Sequence, residues 1–527
     1  MPTNQAATKN TPDSPAPASP EPRPESRPEP PRNGAESGAH IAATFDSAAG
    51  AEDAGDFMNP PPPTGPHEDV WEASFIGAAK VGHTLTRIEP IEQDGESLVR
   101  TTSRQRLRLA RSGDVADQLL LLESLERPNG EVLSLSSQLG SGDAAIHTKA
   151  VVRGDRLLVT QEAGGANEEL ELPWQPGTLG FFGLQQSLER KPLEKGEKRQ
   201  LRLFMPAINV AAETTLKADE ELSKVPLLDG DGLLLKIQME IKVAGATLRQ
   251  VMWCDERGHV IKSFDPQVQL LTYRTSRQIA TSEATGVFEF DDMVIVPATG
   301  KPLANPHDKT QAVYRVSLLD EDPSRVFPSS VGQTVTAIDR TTAEIRIDRR
   351  PLPTVSTESA GEKDLAGSAL IQTEDLRIQE MAASVAAQDR DPLQIALALE
   401  QLVHRSVQRK DYTRAFDSAA DVARKLQGDC TEHAVLLTAL CRARGIPARV
   451  ASGLVAYQDK FAYHMWTEVW TETQWTPLDA TLGRGRIGAG HIKLVDSNLS
   501  NANSLAALLP VLRVLGRLKI EVVSLAD

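Results

Sequence analysis

The chain has 527 residues, of which 40% are hydrophobic, and a formal net charge of −15 at pH 7. This length exceeds what one hydrophobic core normally supports, so we expect two or three domains joined by linkers. The acidic balance argues against non-specific attraction to nucleic acid or anionic lipid, because both attract basic proteins. We therefore expect no nucleic-acid partner.

The chain shows no segment that predicts membrane insertion or a disulfide framework. Its best apolar run, residues 505–518, is too short to span a bilayer and is interrupted by two arginines. No basic segment followed by an apolar stretch marks a signal peptide, which predicts a cytoplasmic protein by default; a periplasmic or exported protein is the alternative if the true start lies upstream. Three cysteines, Cys254, Cys430 and Cys441, are too few and too scattered for a framework.

Composition and periodicity divide the chain into four parts. Residues 1–66 are rich in Pro, Ala, Ser and Glu, which predicts a disordered arm. Residues 67–351 show apolar residues at every second position, which predicts a β-rich domain, either undivided or split into two subdomains near residue 200. Residues 352–368 resemble a linker. Residues 369–527 begin with apolar residues spaced by 3.6 positions, as in helices, and form the last domain. The predicted fold class is therefore multidomain, with a mostly antiparallel β region followed by an α+β region.

Several elements are specific enough to place. Ile237, Met239, Ile241 and Val243 alternate with polar residues, as in a half-buried strand. Residues 119–125 with 132–135, and 248–254 with 259–262, predict two hairpins, and residues 314–316 and 345–347 predict further strands. Asp391 followed by Pro392 predicts the start of a helix, because this order of cap and proline is favoured there.

The segment 427–447 carries start and stop signals for a helix. Asp429 fits the N-cap and Glu432 completes a capping box, whereas Gly445 fits the left-handed position after the last turn. Cys430 then lies in the first turn, where unpaired N–H groups and the helix dipole favour a thiolate. This position suits a nucleophile, although the base must come from elsewhere.

Cys441 lies three turns further along the same helix, where we expect an inert thiol packed on Ile446. Residues three turns apart are separated by about 16 Å, so a zinc site of Cys430, His433, Cys441 and His464 is excluded. We therefore predict neither a metal nor another cofactor.

Residues 461–480 predict a two-stranded hairpin that carries a histidine and an aspartate. With a four-residue loop at 470–473, Val469 pairs with Gln474 and His464 lies opposite Asp479. A slip of two residues would leave the two side chains diagonal but still within reach. His464 would accept the thiol proton of Cys430 as general base, and Asp479 would orient the imidazole and stabilise the imidazolium.

Four segments carry a family resemblance: 428–434 (GDCTEHA), 442–450 (RARGIPARV), 464–470 (HMWTEVW) and 475–481 (WTPLDAT). In this order they resemble the transglutaminase-like superfamily, whose Cys, His and Asp match Cys430, His464 and Asp479. The resemblance covers roughly residues 370–520. It implies a papain-like α+β fold and acyl transfer through a thioester, with a protein or peptide as substrate.

Alternatives stay open for individual residues and for the function. His433 is a rival base on the helix of Cys430, but it lacks an evident carboxylate partner. Trp466, two residues from His464, is the candidate for lining the substrate cleft. A peptidase or amidase is favoured over a cross-linking enzyme, because nothing resembles the calcium-binding loops of animal cross-linking enzymes. The other class is a catalytically silent scaffold whose β-rich region binds a partner.

Overall fold

The computed structural model describes most of the chain from residue 57 onwards. The described part is residues 57–527 except 61, 64, 112–113, 141–144, 164–165, 206–207, 244–245, 284–287, 289–293, 320, 351–357, 387–390, 410–416, 472 and 501–508. The predicted arm therefore lies mostly outside the described residues. Its last part is ordered, because Phe57 and Met58 are buried against Trp71 and Leu85.

Fifteen strands form the first sheet. They are β1 (Glu68–Ile76), β2 (Ala79–Gln93), β3 (Glu96–Arg111), β4 (Asp114–Glu126), β5 (Val132–Leu139), β6 (Ile146–Arg153), β7 (Arg156–Ala163), β8 (Ala166–Pro173), β9 (Thr178–Leu179), β10 (Lys198–Met205), β11 (Val210–Leu227), β12 (Gly230–Val243), β13 (Ala246–Cys254), β14 (Val260–Asp265) and β15 (Leu270–Thr275). Their order is β8-β7-β6-β5-β4-β3-β2-β1-β15-β14-β13-β12-β11-β10-β9. All neighbours are antiparallel except β9 and β10.

The period-two pattern in β12 is confirmed. Ile237, Met239, Ile241 and Val243 are buried, and the polar residues between them face solvent. The sheet also curls, because Leu135 in β5 and Leu157 in β7 share a core with Phe204 in β10. Residue 200 lies inside β10, whereas the consecutive strands β8 and β9 lie at opposite edges of the sheet; the option of two subdomains stays a prediction.

The second sheet combines strands from two distant parts of the chain. Its strands are β16 (Ile295–Gly300), β17 (Gln311–Leu318), β18 (Gln333–Ala337), β19 (Thr342–Asp348), β20 (Ala448–Tyr457), β21 (Lys460–Thr471), β22 (Gln474–Leu478), β23 (His491–Ser497) and β24 (Leu518–Ala526). The order is β18-β19-β17-β24-β16-β21-β20-β23, with β22 on β21. Strands of residues 295–348, which the sequence analysis grouped with the β-rich region, thus pair with strands that follow residue 448. The division into domains stays a prediction.

A glutamine side chain joins the two ends of this second sheet. Gln333 at the start of β18 is buried, and its Oε1 accepts the backbone N–H of Lys493 at 2.8 Å. Its Nε2 donates to the carbonyl of the same residue at 2.9 Å. The side chain therefore replaces a strand partner for Lys493 in β23, which satisfies backbone groups that would otherwise be buried unpaired.

The described helices are α1 (Gly183–Arg190), α2 (Arg277–Thr281), α3 (Leu376–Ala383), α4 (Pro392–Ser406), α5 (Ala419–Lys425), α6 (Cys430–Ala443) and α7 (Leu509–Val514). The predicted start of α4 is confirmed, since Asp391 caps it by accepting the Gln394 N–H at 2.8 Å. Helices α3 to α6 share one core with β20, β21 and β22. In the part of the chain that the structure describes, no helix combines the length and apolar character needed to cross a membrane.

The described residues are mostly β and form two sheets, so the predicted predominance of β-structure is confirmed. Helices pack on the second sheet, where α6 lies against β21 and β20. The finer prediction, a papain-like arrangement of residues 369–527, stays a prediction.

Candidate active site

Local hydrogen bonds place Cys430 at the first residue of α6. Asp429 is the N-cap, and its Oδ1 accepts the N–H of Thr431 at 2.8 Å. Glu432 forms the reciprocal hydrogen bond, in which its Oε2 accepts the N–H of Asp429 at 2.8 Å. The predicted capping box is confirmed, and it leaves the Cys430 side chain half-buried at the positive end of the helix dipole.

The other end of α6 is also as predicted. Gly445 has a φ of +70°, and the N–H of Ile446 donates to the carbonyl of Cys441 at 2.9 Å, as in a Schellman motif. Cys441 is fully buried in the same core as Ile446, and burial raises the pKa of its thiol to about 12. The two cysteines of α6 therefore differ sharply in environment, and all three cysteines of the chain are free.

The hairpin that carries His464 has a different register from the predicted one. Val469 pairs with Thr476 rather than Gln474, and Thr471 pairs with Gln474, which shortens the connection to two residues. The rings of Trp470 and Trp475 meet edge to face across the two strands at 5.5 Å, and such aromatic pairs stabilise the longer ladder. The predicted direct opposition of the histidine and the aspartate is therefore wrong by two residues.

The diagonal placement still brings the imidazole to the carboxylate. His464 Nε2 lies 2.8 Å from Asp479 Oδ2. Burial acts to lower the pKa of His464, but the Asp479 charge, the Cys430 sulfur and hydrogen bonds to both outweigh it and raise the pKa to about 10. Because Nε2 is engaged with Asp479, Nδ1 is the nitrogen left for Cys430. The structure thus brings the three predicted residues together: Asp479 is hydrogen-bonded to His464, and Cys430 is close enough to contribute to the raised pKa of the ring.

Asp479 follows β22 and is almost completely buried. Its Oδ1 accepts the backbone N–H of Thr481 at 2.9 Å and of Leu482 at 3.4 Å. Oδ2 accepts from His464 and also from His491, whose Nε2 lies 3.0 Å away. Burial acts to raise the pKa of Asp479, but the His464 charge and both ring N–H groups hold it well below the usual range. The carboxyl group is therefore an anion in the folded protein.

Helix α4 holds the loop that follows Asp479. Glu400 is fully buried, and its Oε1 accepts the N–H of Gly485 at 3.0 Å. Gln401 donates to the carbonyl of Gly483 at 2.7 Å, and His404 Nδ1 donates to the carbonyl of Ala480 at 3.0 Å. Three side chains of one helix thus fix the backbone that follows Asp479.

Trp466 packs against the imidazoles. Its ring stacks on His464 at a centroid distance of 6.4 Å and meets His491 edge to face at 5.3 Å. The side chain is only 1% exposed, so what the structure shows is support for the His464 ring within the protein. Contact of Trp466 with a substrate stays a prediction.

Two other groupings bear on the chemistry. His433, the rival base, is buried with its Nδ1 donating to the carbonyl of Asp429 at 2.6 Å, which ties it to the helix backbone. His464, Asp479 and His491 offer three ligand atoms within 4.8 Å of one another, as a metal site would. The hydrogen bonds from His464 Nε2 and His491 Nε2 to Oδ2 of Asp479 account for this closeness equally well, since each of the three atoms already has a partner.

His491 and the three residues of α4 were not predicted from the sequence. His491 begins a strand with no motif around it, and its contact with Asp479 requires β23 to lie beside β20. Glu400, Gln401 and His404 occupy one stretch of a helix, where a buried carboxylate among apolar residues was the available signal.

Comparison with protein families gives a match in the C-terminal part of the chain. The Transglutaminase-like superfamily matches residues 379–480, which contain Cys430, His464 and Asp479. No curated protein matches the chain.

Solved structures show only distant likenesses. A proposed cysteine protease from Cytophaga hutchinsonii has 16% identity and a TM-score of 0.27, covering 43% of this chain and 82% of its own. A β-barrel-like protein of unknown function from Brucella abortus has 12% identity and a TM-score of 0.30, covering 40% and 94%. A proposed protease from Parabacteroides distasonis has 11% identity and a TM-score of 0.17, covering 71% and 66%. Likenesses of this size fix neither fold nor activity. Because the family matches residues 379–480, the C-terminal part of this chain contains a transglutaminase-like domain.

Proposed function

We propose that the chain is a cysteine-dependent acyl-transfer enzyme that acts on protein or peptide amides. Cys430 is the nucleophile, His464 the general base and Asp479 the orienting carboxylate. One observation carries the proposal. The His464 ring lies between two partners: the half-buried thiol of Cys430 at the start of α6, and the buried carboxylate of Asp479, whose Oδ2 lies 2.8 Å from Nε2 of the ring. A nucleophile, a general base and a carboxylate that orients the base, in series, form the arrangement that activates a thiol.

The reaction follows from these contacts. The thiol of Cys430 gives its proton to His464 Nδ1, which holds it near neutral pH because the pKa of the ring is raised to about 10, and the sulfur attacks the amide carbonyl, whose electron pair moves onto oxygen. The backbone N–H of Cys430 is the proposed donor to that oxyanion, because the N–H groups of Asp429 and Thr431 are already bound in the capping box. The intermediate collapses to a thioester as His464 protonates the departing amine. An acceptor then attacks the thioester and gives a proton to His464, and the sulfur leaves with that proton.

Water is the proposed acceptor, which makes the enzyme a peptidase or amidase. A transamidase would use the same three residues with an amine as acceptor, so the choice depends on the groove outside the triad. The sequence has nothing resembling the calcium-binding loops of animal cross-linking enzymes, and this favours hydrolysis.

A thiol-reactive amide probe tests the catalytic role of Cys430. Labelling should be lost in Cys430→Ala and kept in Cys441→Ala, because the second thiol is buried and its pKa is raised to about 12. Equal labelling of the two variants would refute the proposal and favour a silent scaffold whose β-rich sheet binds a partner.

The acceptor is tested on the active protein. Incubation with a peptide library, with and without a primary amine, followed by mass spectrometry, distinguishes a gain of water from a gain of the amine. Hydrolysis predicts the same cleaved products in both samples. Amine adducts that replace the hydrolysed products would make the enzyme a transamidase.

A further inference from the structure

Asp479 has a second imidazole partner that the triad does not require. We propose that His491 is a positioning residue that acts on the Cys430–His464 pair through Asp479. This inference rests on the function proposed above. Its basis is one oxygen atom: Oδ2 of Asp479 lies 2.8 Å from His464 Nε2 and 3.0 Å from His491 Nε2.

The carboxylate has little freedom while both rings are bound. Its Oδ1 accepts two backbone N–H groups of the turn, from Thr481 and Leu482. Rotation of the carboxylate plane would break the bond to His491 as well as the bond to His464. The second ring therefore penalises the same displacement that would release His464.

The tautomer of His491 follows from its surroundings. The ring is fully buried, with Trp466 at 5.3 Å and His307 at 5.5 Å, and burial lowers its pKa to about 4. A neutral imidazole has one N–H, and an anionic carboxylate can only accept, so the proton is on Nε2. Nδ1 has no hydrogen-bond partner among the described residues. His491 thus donates a hydrogen bond to Asp479 without adding a charge that would compete with the imidazolium of His464.

The strand that carries His491 is shaped to reach this position. Strand β23 is separated from β21 by β20, and its register shifts between Ser452 and Gly453. A β-bulge of this kind bends a strand and re-aims its side chains, and bulges are frequent beside active sites. At the shift the backbones approach so closely that a Cβ on Gly453 would collide with the Ile492 carbonyl. The closeness depends on glycine at this position.

The consequence concerns the orientation of His464. When Asp479 is fixed, the Nδ1 of His464 is held toward Cys430 for proton transfer. Loss of one of two donors on Oδ2 leaves the carboxylate freer to rotate, and the ring follows it. We expect the rate of alkylation of Cys430 by iodoacetamide near neutral pH to fall about tenfold in His491→Phe, a loss typical of removing an outer hydrogen-bond partner of a site.

A double-mutant cycle separates this role from simple packing. The alkylation rate is measured in wild type, His491→Phe, Asp479→Asn and the double variant. If His491 acts through Asp479, its substitution should cost about tenfold in wild type and almost nothing in the Asp479→Asn background. The same loss in both backgrounds would overturn the proposal, because it would show an effect independent of the carboxylate.

Two further variants control for the loss of a buried ring. His491→Gln can still present an N–H to Oδ2 and should recover most of the wild-type rate. His307→Phe removes the neighbouring ring, whose Nε2 donates to the carbonyl of Ala456, and should leave the rate unchanged. Equal losses in His307→Phe and His491→Phe would attribute the effect to packing and overturn the proposal.

A measurement on wild type covers the case in which the variants do not fold. NMR of protein with 15N-labelled histidine should show His491 as the neutral Nε2–H tautomer from about pH 5 to about pH 8. A protonated or Nδ1–H ring would overturn the inference, as would stoichiometric zinc in the purified protein, because the cluster would then be a metal site. If wild-type Cys430 reacts no faster than Cys441, the proposed function fails, while the tautomer still decides the bond to Asp479.

Discussion

The raised pKa of His464 depends on Asp479, and Asp479→Asn is the variant that measures this dependence. Burial alone would lower the pKa of His464, and the carboxylate charge, Cys430 and hydrogen bonds to both reverse the sign and raise it to about 10. A hydrogen bond to a charged group contributes about 1.5–3 kcal/mol. At about 1.4 kcal/mol per pH unit, its loss lowers the titration midpoint by roughly one to two pH units.

NMR titration of the ring protons gives the midpoint directly. We expect wild-type His464 to stay protonated beyond pH 8 and to titrate near the value of about 10, and the midpoint in Asp479→Asn to fall to about 8–9 or below. His83 in β2 is the internal control, because burial lowers its pKa to about 4 in a sheet that the substitution does not touch. An unchanged or higher midpoint for His464 in Asp479→Asn would refute the assignment of Asp479 as its electrostatic partner.

Three further predictions concern stability. The pKa of Asp479 is depressed, so its contribution to the free energy of unfolding is present above pH 3.8 and lost as the pH falls. The pKa of His464 is raised, so its contribution to the same free energy is present below pH 6.5 and lost as the pH rises through about 10. Urea unfolding should therefore show the largest advantage of wild type over Asp479→Asn between pH 3.8 and 6.5, and a constant difference at all pH values would contradict the linkage. Gly453→Ala should lower the free energy of unfolding by about 1–3 kcal/mol, because the new Cβ collides with the backbone. Gly445→Ala should lower it by about 1 kcal/mol, because the new Cβ meets open space but the residue has a φ of +70°. If calorimetry gave the larger loss for Gly445→Ala, it would argue against the close approach at Gly453. Gln333→Leu should cost about 2 kcal/mol or more, because both backbone groups of its partner lose their bonds, and an unchanged unfolding midpoint would show that the sheet ends do not depend on it.

Local chemistry made several features predictable. The ends of α6 depend on Asp429, Glu432 and Gly445, whose capping preferences act within a few residues. These caps alone separate Cys430 at the helix start from Cys441 in the core. The alternation of Ile237, Met239, Ile241 and Val243 with polar residues similarly determines which face of β12 is buried, because the side-chain period of a strand is two.

Features that depend on how segments pair with one another were not predictable. The hairpin register is offset by two residues, because a cross-strand tryptophan pair and a two-residue connection extend the ladder beyond the expected loop. Strands β16 and β17 join the second sheet by pairing with β21 and β24, and all of these residue pairs are more than 150 positions apart, for example Tyr314 with Val522. Alternation shows that a segment is a strand, but it does not specify its partner.

The sequence by itself predicted which side chains carry the proposed chemistry, because Cys430, His464 and Asp479 stand in local segments that lie within the residues matched by the family. Only the tertiary structure decided how they are supported. His491 reaches Asp479 because a bulged strand, β23, passes beside Gly453 of β20, which itself pairs with His464. Helix α4 reaches the loop after Asp479 through three side chains. Such contacts depend on the packing of whole elements, for which a single chain's periodicity carries no information.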